Sequence, residues 1–479
     1  MNDSPRPADG RRPRAGRGRP TRPARGRGEP ARARQLALRV LERVERAGAW
    51  ADVLLHALLP QSGLSIPDRA FATDLVYGTL RWRGRLDFLL AHALDRDLEK
   101  LEPLVANALR LGAYQIALAG DRVPPQVAVD ESVRCVRAAG AERATGFVNA
   151  VLRRVASEHA QVAFPELERD PQGHLTHALS LPAWLAARWL ELYGAEEAAA
   201  LARASNAIPP LVVRANALRC DRDALLAELR ERFPEAAACR FASAGVVLGR
   251  RGNAALDPAF LAGRMTVQDE ASQLVVALLD PQPGERVLDA CAAPGGKATA
   301  IAELVGPAGR VLALDRNARR LDLVRRHGRR LGLENLRTAV RDASRPLGDL
   351  AADGPFDRVL VDAPCSGLGT LRRNPDARWS IGPGDPARLA ETQRAILRGA
   401  AALVRPGGTL VYSTCTLLPE ENEAIVAAFL DENDAFARAD AANAPAGLRP
   451  LVGADGALRT FPQRHDADGF FSARLERRP

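Results

Sequence analysis

The chain has 479 residues, which is enough for about three domains of ordinary size. Its 67 lysines and arginines outnumber its 58 acidic residues, and the net charge of +9 favours a polyanion such as nucleic acid as partner. There is no run of about 18 apolar residues that could span a membrane, and no signal peptide. The six cysteines include no CxxC and no Cys/His pair at zinc spacing, which argues against a zinc module or disulfide scaffold. We therefore expect a cytoplasmic protein that holds no metal.

The first 30 residues consist almost wholly of Arg, Pro, Gly and Ala, a composition that predicts a disordered tail. Two interpretations of this tail stay open. It is either a basic arm that gathers RNA by releasing counterions, or a dispensable extension.

Residues 31–165 have apolar side chains at the spacing of helices and predict an all-helical bundle. Ser65, followed by Pro67 and Asp68, has the pattern of a helix N-cap. Further helices are predicted at 85–93, 103–118, 125–139 and 145–156.

Residues 175–265 change in character and predict a small α+β linker domain. A helix is expected from 181 to about 204 and another at 221–232, with short strand-like runs such as 244–248. Arg214 and Asn216 lie in an extended segment of this domain. They either contact RNA or make structural hydrogen bonds, and the sequence favours the second interpretation.

From residue 266 to the end, strands alternate with helices. Strands are predicted at 286–289, 310–315, 336–340, 357–362 and 409–413, with helices that include 316–331 and 387–403. This alternation predicts an α/β, doubly wound, Rossmann-like domain with a parallel sheet, whose ligands bind at the carboxyl ends of the strands.

A tight loop follows the first of these strands and opens a helix, which lets the backbone approach a ligand closely. The loop residues are Cys291, Ala292, Ala293, Pro294, Gly295, Gly296 and Lys297. An aspartate stands at or just after the end of each of the next three strands. Asp315 lies 19 residues after Gly296 and can bind a ribose, Asp342 can accept from an adenine amine, and Asp362 ends the fourth strand. The GxGxxG and GxxxxGK[ST] motifs are absent, which disfavours NAD and ATP. S-adenosylmethionine remains, with Lys297 near its methionine end.

Two cysteines, Cys365 and Cys415, come just past the ends of strands that should be neighbours. Methyl transfer to C5 of a pyrimidine needs a thiolate that adds to C6, whereas methylation of an exocyclic amine needs no cysteine. Asp362 could hydrogen-bond the base at N3 and at its exocyclic amine. The residues alone leave open which cysteine attacks.

Several short strings follow one another along the chain: 291–297, Asp315, Arg341-Asp342-Ala343, 362–367, Arg373-Asn374-Pro375-Asp376, and 412–416 followed by Glu421-Asn422-Glu423. Their order resembles that of the RNA cytosine-5 methyltransferase family. The strings at 68–72, 76–79 and 146–154 resemble the NusB domain, an RNA-binding helical fold. With such a domain in front, the chain is similar to the bacterial small-subunit ribosomal RNA enzymes of this family (the Sun/Fmu type), from about residue 31 to 471.

The resemblance implies a substrate and a set of roles. The substrate would be a cytosine of 16S ribosomal RNA, and S-adenosylmethionine would contact residues 291–297 together with Asp315, Asp342 and Asp362. Cys415 would attack C6, and Cys365 would assist release of the product. Ala298 departs from the Thr that the family usually has after the lysine, and we expect only a small loss of hydrogen bonding at the helix start.

Three further expectations complete the sequence-based interpretation. One alternative substrate is transfer RNA, and the rival from another class is a non-catalytic factor that only recognises a ribosomal precursor. The intact pair of Cys365 and Cys415 disfavours the non-catalytic factor. The expected working form is a monomer.

Overall fold

The computed structural model describes residues 31–250, 252–347, 350 and 353–479. The tail predicted at 1–30 lies outside these ranges. Among the helices within them, none is both long and apolar enough to cross a membrane.

The N-terminal part is a helical bundle, as predicted, and its described residues form seven α-helices. They are α1 (Arg32–Ala47), α2 (Ala51–Leu58), α3 (Ile66–Arg81), α4 (Arg83–Ala93), α5 (Pro103–Ala117), α6 (Pro125–Ala138) and α7 (Thr145–Glu158). Helix α5 is buried along nearly its whole length because α1, α3, α4, α6 and α7 all pack against it. The Ser65 side chain accepts a hydrogen bond from the Asp68 amide at the start of α3, which confirms the predicted N-cap.

A small α+β domain follows, with a four-stranded antiparallel sheet of order β2-β3-β1-β4. Its elements and the helices before it are α8 (Pro171–Gly173), a π-helix (His174–Ala178), α9 (Ala183–Asn206), β1 (Val212–Ala215), α10 (Arg222–Arg230), β2 (Ala237–Ala238), β3 (Gly245–Val247), α11 (Pro258–Leu261) and β4 (Met265–Val267).

Arg214 and Asn216 both make structural hydrogen bonds, as the favoured interpretation holds. Arg214 is buried, forms an ion pair with Glu303 at 2.7 Å, and donates to the Gly296 carbonyl at 2.8 Å. Asn216 is fully buried and donates to the Leu331 carbonyl at 3.0 Å. These bonds attach the small domain to the α/β domain and hold the backbone of the glycine loop.

The C-terminal domain has an eight-stranded sheet of order β7-β6-β5-β8-β9-β12-β10, with β11 paired to β12. Its elements are α12 (Glu270–Leu279), β5 (Arg286–Asp289), α13 (Gly296–Val305), β6 (Arg310–Asp315), α14 (Ala318–Leu331), β7 (Leu336–Val340), β8 (Phe356–Asp362), α15 (Ala377–Ser380), α16 (Asp385–Ala401), β9 (Val404–Thr414), α17 (Glu423–Asp431), β10 (Phe436–Arg438), β11 (Ala457–Thr460), α18 (Pro462–His465) and β12 (Phe470–Arg477).

The sheet is mixed and not parallel throughout. Strands β5 to β9 are parallel, but β12 runs antiparallel to β9, and both β10 and β11 run antiparallel to β12. The strand order reverses between β5 and β8, which opens a crevice at their carboxyl ends. The site lies there.

The segment 372–379, which follows the Cys365 loop, joins the α/β domain to the helical bundle. The Asp376 carboxylate accepts from the Ala51 amide at 2.8 Å, and the Trp379 indole donates to the Leu80 carbonyl at 2.6 Å. Arg378 is fully buried and donates to the Ser180 carbonyl at 3.0 Å. The bundle is therefore fastened to the chain segment that follows one of the two cysteines.

Candidate active site

A cavity of about 220 Å³ lies at the carboxyl ends of β5, β6, β8 and β9. Seven of the residues singled out in the sequence line it: Cys291, Ala293, Asp315, Asp342, Asp362, Cys365 and Cys415. Ala292, Pro294, Gly295, Gly296 and Lys297 are not among the residues that line it. The structure thus brings together the acids and both cysteines from five separate stretches of chain.

The loop after β5 turns at Gly295, whose φ of +111° favours glycine. A Cβ atom at this position would also lie 3.1 Å from the Val324 backbone of α14. The Thr299 hydroxyl donates to the Gly295 carbonyl at 2.8 Å and supports the turn from the first turn of α13. Ala298 is buried in an apolar cluster with Val324. The small effect expected from alanine in place of the family's threonine stays a prediction.

Lys297 forms an ion pair with Asp362, with 2.8 Å between Nζ and Oδ2. The Lys297 ammonium also lies 4.9 Å from the ring centre of Phe470. Burial disfavours the charged form of Lys297, but the Asp362 carboxylate outweighs burial and the pKa of Lys297 is raised. The ion pair fixes the Asp362 side chain on the cavity wall.

Asp315 and Asp342 face the cavity from the ends of β6 and β7. Asp315 accepts from the Asn317 amide through Oδ1, and its Oδ2 lies 3.3 Å from Arg320. The hydrogen bonds from the Ser344 hydroxyl and amide lower the pKa of Asp342. Two carboxylates at successive strand ends suit the ribose and the amine of one nucleoside.

Asp289 is the last residue of β5, at a position where the sequence predicts the end of a strand but no particular role. Its side chain is fully buried, and Oδ1 accepts from the Cys291 amide at 3.3 Å. No donor among the described residues reaches Oδ2. Burial, together with the nearby Asp362 charge, raises the pKa of Asp289 to about 7. A buried acceptor without a protein donor, next to the cavity wall, fits a ligand that brings an ammonium group, as S-adenosylmethionine does.

The two cysteine sulfur atoms lie 3.4 Å apart. This approach follows from the parallel pairing of β8 with β9, in which Asp362 is opposite Ser413, because both cysteines stand just beyond that pair. The pKa of Cys365 is raised well above its usual range by the hydrogen bond with Cys415 and by burial. Cys365 therefore keeps its proton while Cys415 stands beside it.

Glu421, which the sequence placed only in a motif string, ties the two cysteine loops together. It is fully buried, and its carboxylate accepts from the Ser366 amide at 2.9 Å, the Ser366 hydroxyl at 2.5 Å and the Gln393 amide at 2.9 Å. Ser366 follows Cys365, and its hydroxyl also lies 2.8 Å from that of Thr416, which follows Cys415. The acid in a string after the second cysteine was the only sequence signal for this role.

A Rossmann-like sheet with acids at successive strand ends, and without a phosphate-binding glycine motif, defines the class as methyltransferases that use S-adenosylmethionine. Three family models match the chain: the NusB family over residues 31–157, the RsmF/B-like ferredoxin-like domain over 181–255, and the 16S rRNA methyltransferase RsmB/F over 276–476. The chain belongs to the 16S rRNA methyltransferase RsmB/F family.

Individual relatives agree with this assignment. A Bacillus subtilis protein described as a probable ribosomal RNA small subunit methyltransferase B is 38% identical over 93% of this chain and 98% of its own. Among solved structures, PH0851 is 25% identical with a TM-score of 0.76, over 92% of this chain and 99% of its own. A methyltransferase homologue from Pyrococcus horikoshii is 29% identical with a TM-score of 0.55, over 64% of this chain and 99% of its own.

The pKa of Asp289 predicts how stability depends on pH in the cofactor-free protein. Because the pKa of about 7 in the folded protein lies above the usual 3.8, the protonated carboxyl stabilises the fold at low pH. This contribution, up to about 4 kcal/mol, is lost as the pH rises from about 4 through 7. Asp289→Asn should remove that loss. Urea unfolding of the variant and the wild type at pH values from 4 to 8 measures the free energy of unfolding on which this comparison rests.

The control for this experiment is Asp322→Asn, which changes an exposed acid on α14. Its unfolding free energy should follow the wild-type pH dependence. If Asp289→Asn and the wild type lose stability in parallel between pH 4 and 8, Asp289 is not the titrating group.

Proposed function

We propose that this protein transfers a methyl group to C5 of a cytosine in 16S ribosomal RNA, through a transient covalent bond between Cys415 and C6 of the base. One observation carries the proposal: the Cys365 and Cys415 sulfur atoms lie 3.4 Å apart in the wall of the cavity. When bound, S-adenosylmethionine supplies an electrophilic methyl group. Membership of the 16S rRNA methyltransferase RsmB/F family supports the choice of RNA.

A cysteine is needed because C5 of cytosine is not nucleophilic until a thiolate has added to C6. The pKa of Cys365 is raised by the hydrogen bond with Cys415 and by burial, so Cys365 keeps its proton and is disfavoured as the attacking thiolate. Lys297 lies near Cys415, because the Cys415 charge is one of the causes, after Asp362, that raise the pKa of Lys297. Both features support the role that the family resemblance implies for Cys415.

The covalent step forms a bond between Cys415 Sγ and C6, and the electron pair of the C5–C6 double bond moves to C5. The Asp362 carboxylate, held by Lys297, accepts hydrogen bonds from the exocyclic amine and from N3 once N3 carries a proton. A proton that N3 takes up from water makes C6 more electrophilic, and the Asp362 carboxylate stabilises the protonated N3, so Asp362 favours addition of the thiolate. C5 is then nucleophilic and takes the methyl group.

Release of the product requires loss of the C5 proton and breakage of the bond between C6 and sulfur. Once Cys415 is bonded to C6, its sulfur no longer carries a charge or accepts a hydrogen bond as a thiolate, which removes two of the causes that raise the pKa of Cys365. Cys365 gives its proton to water, and the resulting thiolate accepts the C5 proton. The electron pair of the C5–H bond restores the double bond and expels the Cys415 thiolate.

The test is to incubate the purified protein with an unmodified 16S ribosomal RNA transcript and S-adenosylmethionine that carries a labelled methyl group. Nucleosides from the digested RNA are separated by mass spectrometry, and bisulfite sequencing locates the position. We expect label in 5-methylcytidine at one site. Label on an exocyclic amine or on another base would contradict the proposed chemistry, and transfer RNA as the better acceptor would contradict the proposed substrate.

A further inference from the structure

Residues 316–345 are the most basic segment within the part of the chain that the structure describes, and residues 1–30 carry a further net charge of +6. Residues 316–345 contain ten arginines and three acidic residues, a net charge of +7 within a chain whose total is +9. This segment comprises α14, β7 and the loops on either side of them. Both loops reach the cavity: Arg316 and Arg341 line it beside Asp315 and Asp342, the acids expected to bind the cofactor. Arg320, in the first turn of α14, also lines it.

Helix α14 turns its apolar residues to the sheet and most of its arginines to solvent. Leu321, Val324 and Leu331 are buried, and Arg319, Arg326 and Arg329 are exposed. Residues three or seven apart lie on one side of a helix, and Arg326 lies seven residues after Arg319 and three before Arg329. These three arginines therefore share a face, which we name the α14 basic face. It extends for about 15 Å along the helix and begins at the mouth of the cavity.

The arginines of the α14 basic face have no acidic partners within the part of the chain that the structure describes. The acid on the same side of the helix, Asp322, is bound by Arg325 at 2.7 Å. Arg330, by contrast, faces the small α+β domain and donates to the Phe260 and Met265 carbonyls. The three arginines are therefore not needed for the internal packing of the domain.

We propose that the α14 basic face binds the phosphate backbone of the substrate RNA beside the target nucleotide. This inference rests on RNA as the substrate, which is part of the proposed function. Charge complementarity argues for the occupant, since a row of unpaired arginines suits a chain of phosphates. A protein partner would instead need an apolar or aromatic centre in the interface, and the exposed side of α14 carries arginines and one aspartate.

The decisive variant is Arg319→Gln/Arg326→Gln/Arg329→Gln. Its matched control is Arg388→Gln/Arg398→Gln/Arg405→Gln, which removes the same charge from exposed arginines that are already paired with Asp385, Glu432 and Asp357. Arg388 and Arg398 belong to α16, which packs against Leu288 and Val359, on the face of the sheet opposite to that covered by α14. α14 packs on the face that contains Ala313.

The measurement is the dissociation constant of a 16S ribosomal RNA transcript by filter binding over a salt series, without cofactor. For the α14 variant we expect the slope of log Kd against log salt to fall by about 2, and binding to weaken about tenfold to a hundredfold near 0.1 M salt. The control variant should bind like the wild type. Both variants should bind S-adenosylmethionine normally, which shows that they are folded.

Equal RNA binding by the two variants overturns the inference, and so does failure of the wild-type protein to bind the transcript. A chemistry other than C5 methylation leaves this binding experiment unaffected, so the two proposals fail separately. If the α14 variant binds RNA normally but loses binding to an acidic protein, the face serves a protein partner and the inference is wrong.

Discussion

Cys415→Ala is expected to abolish methyl transfer to RNA, with a fall in rate of more than about 10³-fold, because no other group makes C5 nucleophilic. The substitution removes one sulfur atom and leaves Asp315, Asp342 and Asp289 in place. Binding of S-adenosylmethionine should therefore be unchanged. Labelled methyl incorporation and titration calorimetry measure the two quantities on the same preparation.

Cys220→Ala is the matched control, since this cysteine lies in the small α+β domain and its thiol contacts the Arg264 carbonyl. That variant should methylate RNA at the wild-type rate. Measurable turnover by Cys415→Ala would transfer the nucleophilic role to Cys365 or to a mechanism without a thiolate.

Cys365→Ala is expected to trap the protein on its RNA. Addition to C6 and methyl transfer use Cys415, but removal of the C5 proton then lacks its base, so the bond between C6 and sulfur persists. The adduct should appear as a protein band of reduced mobility in a denaturing gel, sensitive to ribonuclease. Turnover should fall by about 10² to 10⁴-fold, as expected for loss of a general base.

The double variant Cys365→Ala/Cys415→Ala is the control, because it lacks both sulfur atoms and should form no adduct. A slow band in Cys415→Ala but not in Cys365→Ala would mean that the roles are reversed. Because the two sulfur atoms lie only 3.4 Å apart, geometry alone permits either assignment.

Much of the α/β domain could be predicted from local patterns. Strands β5, β6 and β7 begin and end where the sequence predicts. For β5 and β6 the reason is that a buried parallel strand is a short apolar run, and both stop at an aspartate. Strand β9 begins at Val404 and not near 409, since its first residue pairs with Phe356 across an irregularity in β8. The antiparallel edge formed by β10, β11 and β12 was not predicted, because the direction of pairing is not encoded in the period of the apolar residues.

The candidate site was predicted in composition but not in arrangement. The sequence placed Asp315, Asp342, Cys365 and Cys415 at strand ends, and all four line one cavity. It did not predict that Lys297 forms an ion pair with Asp362. That partner is far away along the chain, and it is near only because β8 lies next to β5.

The sequence by itself determined the domain types, the nature of the cofactor and the two cysteines, because motif order and apolar periods are local properties of the chain. Only the tertiary structure decided which groups meet. The 3.4 Å approach of the two sulfur atoms, the Glu421 carboxylate that ties their loops, and the unpartnered Asp289 oxygen all depend on the strand order β5-β8-β9. Strand order is set by how the whole sheet buries its apolar faces, and no single stretch of sequence contains it.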